Sequence, residues 1–278
     1  MTRAEVPDSL DPDVTFSTAG WAAVQQVYQG LTNYNGSSTT NFSGVLSSGW
    51  VESFDAGTGF STYTFELRPG VESSNGNPYN AYVQWYSLYR SLLLEQGAQF
   101  LLAENFYSTN FNSSDPLNYY SPLANSSAAN ATLASDLNSW NFAVPTSAKI
   151  SQMELPNQSF HVVNSETIAL NLGFGYLDSN YTYLLASISA PNSYAVDPSW
   201  VDAHGGIQEG QVNNYLATHA LGTGPYTLNG YDGVAGGGYA LEPSSNYWAS
   251  SVAPANRGMS TFSRRARRST SCSKTRST

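Results

Sequence analysis

Residues 62–90 read TYTFELRPGVESSNGNPYNAYVQWYSLYR, and this stretch decides the fold. Apolar and polar side chains alternate with a period of two at its start, which predicts a half-buried strand over residues 63–67. The pair Pro69-Gly70 ends that strand, and the following NGNP sequence marks a turn. Asn80 can then cap a helix whose apolar side chains nearly encircle its axis. A helix that is apolar on so many sides is buried, so the stretch predicts the core of a mixed α/β domain.

The composition is that of a large folded protein with an unusual surface. The chain has 278 residues, of which 41% are apolar, so it can bury a sizeable core and is not disordered. Only 11% are charged, against roughly 25% in ordinary proteins. Ser, Asn, Thr, Gly and Tyr replace the charges, and their hydration changes little with pH. We interpret this surface as suited to variable or acidic surroundings outside the cell, with compositional drift as the alternative.

Charge is distributed unevenly along the chain. Residues 1–256 contain four basic and twenty acidic residues, a net charge of −16, whereas residues 257–278 contain seven basic residues and no acidic one. An acidic body that is poor in Lys does not attract nucleic acid or anionic lipid, so neither is expected as a partner. The basic tail has no hydrophobic period, and we predict that it is disordered.

Signals for the cellular compartment are weak. The single cysteine, Cys272, excludes a disulfide framework and a thiolate metal site. No secretory apolar segment precedes Val6, and no apolar run reaches the roughly 20 residues of a membrane span. We expect an exported protein whose export signal is absent from this chain, and a cytoplasmic protein is the alternative. Seven glycosylation sequons, several expected by chance in an Asn- and Ser-rich chain, begin at Asn35, Asn41, Asn112, Asn125, Asn130, Asn157 and Asn180.

The rest of the chain predicts further helices and strands. Apolar residues from Trp21 to Leu31 follow a helical stripe, which Ser17 or Thr18 can cap and Gly30 can end. The other predicted elements are a loop or hairpin at 33–43, a strand at 45–54, short helical pieces at 98–106 and 129–140, a strand at 167–172, a helix at 181–188, a short helix within 196–206 and paired strands at 226–228 and 239–242.

Four separate stretches together resemble one protein family. They are SLDP with the helix VQQVYQGL near the start, then YTFELRPGV with NGNPYNA and YSLYR, then residues 165–185, and finally GTGPYTL with NYW. In this order and spacing, over about residues 7–249, they are similar to the family 5 extracellular solute-binding proteins. These are the peptide-binding components of ABC importers. Two positions depart from the family pattern: Asn75 stands where Asp is usual, and Val83 replaces an acidic residue.

The resemblance implies a fold and a division of the chain. The fold is an α/β, periplasmic-binding-protein-like (class II, large type) mixed-sheet lobe with an extra subdomain. The first ligand-binding lobe would comprise residues 1–33 and 161–256, the extra subdomain residues 34–160, and the tail residues 257–278. Family members are roughly twice as long, because they consist of two lobes, each of which is a domain. We therefore expect the second lobe to be missing, and the basic tail to be an out-of-frame or artefactual end.

Catalysis finds little support in the sequence. There is no GxSxG elbow, no Walker motif and no cofactor signature, so we expect neither an enzyme nor a bound cofactor. The three histidines lack the spacing of a metal site: His161, His204 and His219. Two pairs of acidic residues are conceivable as the catalytic carboxylates of a glycosidase: Asp197 with Asp202, and Glu166 with Asp178. Their spacing in sequence does not determine the distance between the carboxylates in space.

Binding is the favoured interpretation. The resemblance implies that a peptide lies between two lobes that close by a hinge, with its main chain pairing with extended protein segments. It places the following residues at the cleft or hinge: Phe16, Ser17, Thr18 and Ala19 of an extended loop, Trp21, and Gly222, Thr223 and Gly224. Helix capping and packing are the alternative roles of Thr18 and Trp21, and turn geometry is the alternative role of Gly222 and Gly224.

The implied partners are a peptide ligand and the membrane permease subunits of an ABC transporter, with the protein itself a monomer outside the cytoplasm. An oligosaccharide is the alternative ligand, since six Trp and nineteen Tyr also suit sugar stacking. A secreted carbohydrate-binding or glycosidase-like surface protein without a transporter is the alternative class. Arg68 and Arg90 are predicted to be structural ion-pair or capping partners that do not contact the ligand.

Overall fold

The computed structural model describes residues 6–55, 60–106, 127–138, 147–156, 158–172, 182–208, 210–234 and 237–249. Its helices are α1 (Thr18–Val27), α2 (Ala81–Leu94), α3 (Gln99–Ala103), α4 (Ser127–Asn138), α5 (Ser147–Met153), α6 (Thr182–Ile188) and α7 (Pro198–Ala203). Its strands are β1 (Thr32–Tyr34), β2 (Phe42–Gly44), β3 (Ser47–Asp55), β4 (Phe60–Leu67), β5 (Phe160–Asn164), β6 (Thr167–Leu172), β7 (Tyr226–Asp232) and β8 (Gly238–Pro243). The predicted disordered tail at 257–278 lies outside the described residues.

A four-stranded antiparallel sheet in the order β3-β4-β6-β5 forms one wall of the core. Tyr63 pairs with Leu170 and Phe65 pairs with Ile168, and all four side chains are buried. Since alternate residues of a strand face opposite sides of a sheet, this register places the apolar set on the side of α2. The predicted strands at 63–67 and 167–172 are confirmed.

The turn between β4 and α2 follows the sequence signals. Gly70 and Gly76 both have positive φ, 71° and 87°, a region that L side chains rarely adopt. The side-chain oxygen of Asn80 accepts hydrogen bonds from the backbone N–H groups of Tyr82 and Val83, at 3.0 and 3.2 Å. Asn80 is therefore the N-cap that the sequence predicts.

Helix α2 runs through the centre of the described core. All its residues except Tyr82 are buried, and it contacts β5, β6 and five other helical elements. Tyr89 of α2 lies 4.8 Å from Phe160 of β5, and Phe106, which follows α3, lies 4.6 Å from the same ring; both contacts are edge to face. The prediction of a buried helix is confirmed.

A buried ion pair lies inside this core. The Arg90 guanidinium is 1% exposed and donates to both carboxylate oxygens of Asp11, at 2.9 and 2.5 Å, and to Asp13. Arg68 donates from Nε to the Val45 carbonyl at 2.7 Å and lies 5.7 Å from the centre of the Trp248 ring. The predicted ion-pair role is confirmed for Arg90, whereas Arg68 bonds to a backbone carbonyl and lies against an aromatic ring.

The departure at Asn75 also has a structural reason. The amide groups of Asn75 and Asn77 each donate to one oxygen of Asp197 at 2.7 Å. The other oxygen of Asp197, which is 2% exposed, caps α7 through the N–H groups of Ser199 and Trp200. An aspartate at position 75 would place a second carboxylate against this buried one, so an amide is the side chain that fits.

Three predictions about local structure need correction or completion. Helix α1 ends at Val27, a full turn before Gly30, because Tyr28 is extended with φ −112° and ψ 161°. Gly30 serves close packing instead: a Cβ there would lie 2.9 Å from the Tyr194 ring and 3.0 Å from the Ile188 carbonyl. Strand β5 was not predicted, because its alternation is short: Phe160 and Val162 are buried, but Val163 and Asn164 are both exposed. The predicted loop or hairpin at 33–43 is a hairpin of β1 and β2.

The four-stranded sheet crosses the predicted boundary between lobe and subdomain at residue 160. Strand β6, which follows the boundary, pairs with β4, which precedes it, and also with β5. The division into a lobe (1–33 and 161–256) and a subdomain (34–160) stays a prediction. In the part of the chain that the structure describes, no helix is both long and apolar enough to cross a membrane.

Candidate ligand-binding site

Residues 8–17, which we call the Asp8 loop, are organised by one carboxylate. Asp8 Oδ1 accepts from the hydroxyls of Thr15 and Ser17, at 2.6 and 2.7 Å, and from the N–H of Ser9 at 3.0 Å. Asp8 Oδ2 accepts from the N–H groups of Phe16 and Ser17, at 2.8 and 3.2 Å. Partial burial opposes ionisation, but the hydrogen bonds from Thr15, Phe16 and Ser17 outweigh it and lower the pKa of Asp8.

The interior of the Asp8 loop is tied to the core. Asp11 and Asp13 hold the guanidinium of Arg90, and the N–H of Leu10 donates to the Ala217 carbonyl at 2.9 Å. The backbone of Val14 packs closely against Gly97. A Cβ at position 97 would lie only 2.8 Å from the Val14 carbonyl oxygen. The loop is therefore fixed at several points, and most of it is buried, with Asp8 and Phe16 as its exposed residues.

This fixed loop presents Phe16 to solvent. The Phe16 side chain is 59% exposed, and its ring centre lies 6.1 Å from that of Phe100 at an angle of 75°. Phe100 belongs to α3 and is itself 45% exposed. Two aromatic side chains that are 84 positions apart thus form an exposed apolar pair, and such surface on a folded protein marks interaction sites. The sequence motifs identify Phe16 but give no signal for Phe100.

The other residues predicted for this part of the site have mixed roles. Ser17 caps α1, with its hydroxyl accepting from the N–H of Gly20 at 3.0 Å. Thr18 and Ala19 were predicted to be extended, but they form the first turn of α1 because the chain becomes helical directly after this cap. Thr18 is exposed, whereas Trp21 is half-buried and donates from its indole N–H to the Thr15 carbonyl at 3.1 Å.

Gly222, Thr223 and Gly224 lie at the other end of α1. All three are buried, and the N–H of Gly224 donates to the Val27 carbonyl at 2.8 Å. A Cβ at position 222 would lie 2.4 Å from the Val27 carbonyl oxygen, and a Cβ at position 224 would lie 2.6 Å from the same oxygen. Both positions therefore require glycine, because the backbone at the end of α1 leaves no room for a side chain. Because α1 has ten residues, this group and the Asp8 loop lie about 15 Å apart along the helix. The structure does not bring the two predicted groups together.

The backbone of the Asp8 loop has few free donors. The N–H of Thr15 donates to the Asp11 carbonyl, and the N–H groups of Phe16 and Ser17 donate to Asp8. The carbonyls of Thr15 and Ser17 accept from Trp21. A ligand at this loop would therefore meet side chains, chiefly Phe16 and Thr18, and not a row of unpaired main-chain groups. This differs from the strand-like pairing that the resemblance implies.

The three histidines have partners of their own in the structure. His161 bonds to Asn171, and His204 and His219 stack on the two faces of Tyr215, with ring centres 4.0 and 3.9 Å apart. Within the described ranges, no group of three or more His, Cys, Asp or Glu side chains has the arrangement to hold a metal ion.

The sequence motifs and the fold point to the same protein family. Residues 45–267 match the profile of the bacterial extracellular solute-binding proteins, family 5 Middle, and the chain belongs to this family. No curated protein matches it in sequence.

Solved structures show the same fold. The oligopeptide ABC transporter substrate-binding domain of Bacillus anthracis str. Ames matches with a TM-score of 0.57 and 16% identity, covering 90% of this chain and 38% of that one. Listeria monocytogenes OppA bound to peptide matches with a TM-score of 0.55 and 15% identity, covering 89% and 38%. MoaA of A. tumefaciens R10 in complex with mannopinic acid matches with a TM-score of 0.54 and 15% identity, covering 88% and 37%. The chain thus spans about 38% of the length of these relatives.

Proposed function

We propose that this chain is part of an extracytoplasmic receptor that captures peptides and delivers them to the permease subunits of an ABC importer. The observation that carries the proposal is the Asp8 loop, which is fixed by hydrogen bonds and an ion pair yet exposes Phe16. Membership of a solute-binding family and the fold shared with peptide-bound relatives support it. The class of ligand, the permease partners and the location outside the cytoplasm belong to this proposal.

The loop contributes to capture through side chains. Phe16 and Phe100 offer an apolar surface, and the Thr18 hydroxyl beside them is exposed. The carboxylates of the loop already have partners in the protein: Asp8 bonds to the loop itself, and Asp11 and Asp13 bond to Arg90 of α2. The part of a peptide that faces this loop is therefore expected to be an uncharged side chain, because a cationic one would find no free carboxylate there.

The glycine group has a different expected role. Gly222 and Gly224 pack against the end of α1 and have no side chains to offer, so contact with the ligand is less suited to them than support of the hinge. Thr223 is 2% exposed and its hydroxyl has no hydrogen-bond partner among the described residues. We retain these three residues as hinge residues and Phe16, Thr18 and Trp21 as the residues that face the ligand, with Ser17 and Ala19 positioning them.

A titration followed by ¹⁵N NMR tests the proposal. Residues 1–278 are titrated with a tripeptide that has a central Phe, with a tripeptide that has a central Lys, and with a neutral trisaccharide. We expect shifts at residues 16–19 and at Phe100 with the Phe peptide, at millimolar concentration because the chain spans only part of its relatives' length. The Phe16→Ala variant should lose these shifts.

Each other result has a definite meaning. Shifts with the trisaccharide alone would favour the oligosaccharide ligand that the aromatic content also suits. Peptide shifts confined to residues far from the Asp8 loop would remove the loop from the site. Peptide binding at micromolar affinity by residues 1–278 would show that this chain needs no further contacts to hold its ligand.

A further inference from the structure

Two aspartates, each able to carry a negative charge, bind the single positive charge of Arg90. Asp11 and Asp13 are both fully buried, and Arg90 is 1% exposed. With both carboxylates ionised, this acid–arginine cluster (Asp11, Asp13 and Arg90) would enclose a net charge of −1. An unpaired charge in a protein interior costs several kcal/mol, and such a group takes up a proton instead.

The contacts of the two carboxylates differ. Asp11 receives two guanidinium N–H bonds in a fork and also accepts from the N–H of Asp13 at 3.1 Å. Asp13 contacts the guanidinium through Oδ2 only, and its Oδ1 has no hydrogen-bond partner in the described part of the chain. The hydroxyl of Ser91, which neighbours Asp13, is equally without a hydrogen-bond partner there. Asp13 Oδ1 is therefore the atom with room for a proton.

Among the described residues, no second basic side chain faces the cluster. Its titratable neighbours are Tyr28 at the end of α1, Tyr86 on α2 and, beyond Tyr86, Asp202 on α7. Burial raises the pKa of both tyrosines above the usual range of phenols, so both are neutral. The other basic side chains that the structure describes bond elsewhere, Arg68 to the Val45 carbonyl and Lys149 to the Asp136 carbonyl.

We propose that the acid–arginine cluster binds one proton at neutral pH, held on Asp13, and that loss of this proton loosens the anchor of the Asp8 loop. The effect of proton loss on ligand capture rests on the proposed function. The existence of the bound proton does not depend on that function. The protein is then more stable at mildly acidic than at alkaline pH, and its Asp8 loop is firmer there.

The sign follows from linkage. Burial raises the pKa of Asp13 to about 8, although Arg90 opposes the rise. The ordinary value is 3.8, so between about pH 4 and 8 the folded state binds a proton that the unfolded chain releases. The free energy of unfolding therefore falls as pH rises through this interval. Burial also raises the pKa of Asp202 to about 6 and lowers the pKa of His161 from its ordinary 6.5. Both groups are kept in Asp13→Asn, so the difference between that variant and the unchanged protein isolates Asp13.

The test compares three proteins by urea unfolding between pH 6.5 and 8. Asp13→Asn replaces the protonated carboxyl by a neutral group of the same shape, and Glu242→Gln, at an exposed site, is the matched control. In the unchanged protein and in Glu242→Gln the contribution of Asp13 should raise the unfolding equilibrium constant by about fifteenfold from pH 6.5 to 8, because a group with a pKa of about 8 is half protonated at pH 8. In Asp13→Asn this rise should be lost. An equal slope in all three proteins, or a flat profile for the unchanged protein, would overturn the proposal.

A second measurement needs no variant, so the proposal stays testable if Asp13→Asn does not fold. Thermal unfolding of the unchanged protein is followed calorimetrically at pH 7 in buffers of different ionisation enthalpy. We expect the release of about one proton per chain on unfolding, and release of none would contradict the bound proton. Hydrogen exchange then reports on the loop: the N–H groups of Phe16 and Ser17 should exchange faster at pH 8 than at pH 6, beyond the intrinsic effect of pH. None of these readouts involves a ligand, so a failure of peptide binding leaves them unaffected.

Discussion

Helix α2 and the Asp8 loop are both well fixed, but by opposite means. Thirteen of the fourteen residues of α2 are buried, so apolar packing determines its position. In the Asp8 loop, five hydrogen bonds to the carboxylate of Asp8 hold the chain, while Phe16 faces solvent. The two regions meet at Arg90, where the core supplies the cation and the loop supplies the two carboxylates.

The difference shows how a protein can present an apolar side chain without burying it. A loop fixed by apolar contacts would turn Phe16 inward, because burial of its ring is favourable by about 1.5–3 kcal/mol. A loop fixed by polar bonds to its own backbone leaves Phe16 available to a partner. Changes in α2 should therefore unfold the whole domain, whereas changes in the Asp8 loop should loosen it locally.

The largest effect is expected for Arg90→Ala. This change leaves Asp11 and Asp13 buried without a cation, and breaking a buried pair in this way costs about 3–5 kcal/mol. Urea unfolding measures the loss. Arg68→Ala is the matched control, because Arg68 is partly exposed and bonds to a carbonyl. A loss no greater than that of the control would show that Arg90 is not essential to the junction.

A smaller and local effect is expected for Asp8→Ala. Loss of the shared acceptor should cost about 1–2 kcal/mol, reduced by the partial exposure of the site. Because hydrogen bonds lower the pKa of Asp8, its stabilisation is present above the ordinary carboxyl range and is lost as pH falls through the folded-state value. Hydrogen exchange should speed up at Phe16 and Ser17 and stay unchanged within α2. Faster exchange throughout α2 would contradict the local character of the loop.

A cap substitution, Ser17→Ala, should cost about 1 kcal/mol. It removes the acceptor of the Gly20 N–H and one of the hydroxyls on Asp8. Ser17→Asn, which keeps an acceptor for the cap, should recover part of the loss. Thermal unfolding followed by circular dichroism measures both variants. Equal stability of the two would mean that the bond to Asp8, and not the cap, is what matters.

The smallest effect on stability is expected for Phe16→Ala, within about 0.5 kcal/mol, because the ring is mostly exposed. The matched change in the core, Phe65→Ala, should cost about 3–5 kcal/mol, because that ring is fully buried. The contrast is measured by urea unfolding of both variants. A large loss with Phe16→Ala would make Phe16 a structural residue and would weaken its role in the proposed site.

The sequence by itself determined the elements whose signals are local. Strand β4, the turn with Gly70 and Gly76, the Asn80 cap and α2 follow from alternation, backbone freedom and capping within 29 consecutive residues. Their order and spacing also led to the correct family, because the motifs lie in continuous stretches of chain.

Only the tertiary structure decided which distant residues meet. Phe16 contacts Phe100, which is 84 positions away, and Asp13 contacts Arg90, which is 77 positions away. A periodic pattern within a short stretch of sequence cannot predict such pairs. The same holds where the fold requires the absence of a side chain, as at Gly30 and Gly224, whose neighbours come from elsewhere in the chain. Local patterns fix φ, ψ and the buried face of each element. Contacts between elements depend on packing the whole chain at once, and the candidate site and the buried proton site are made of such contacts.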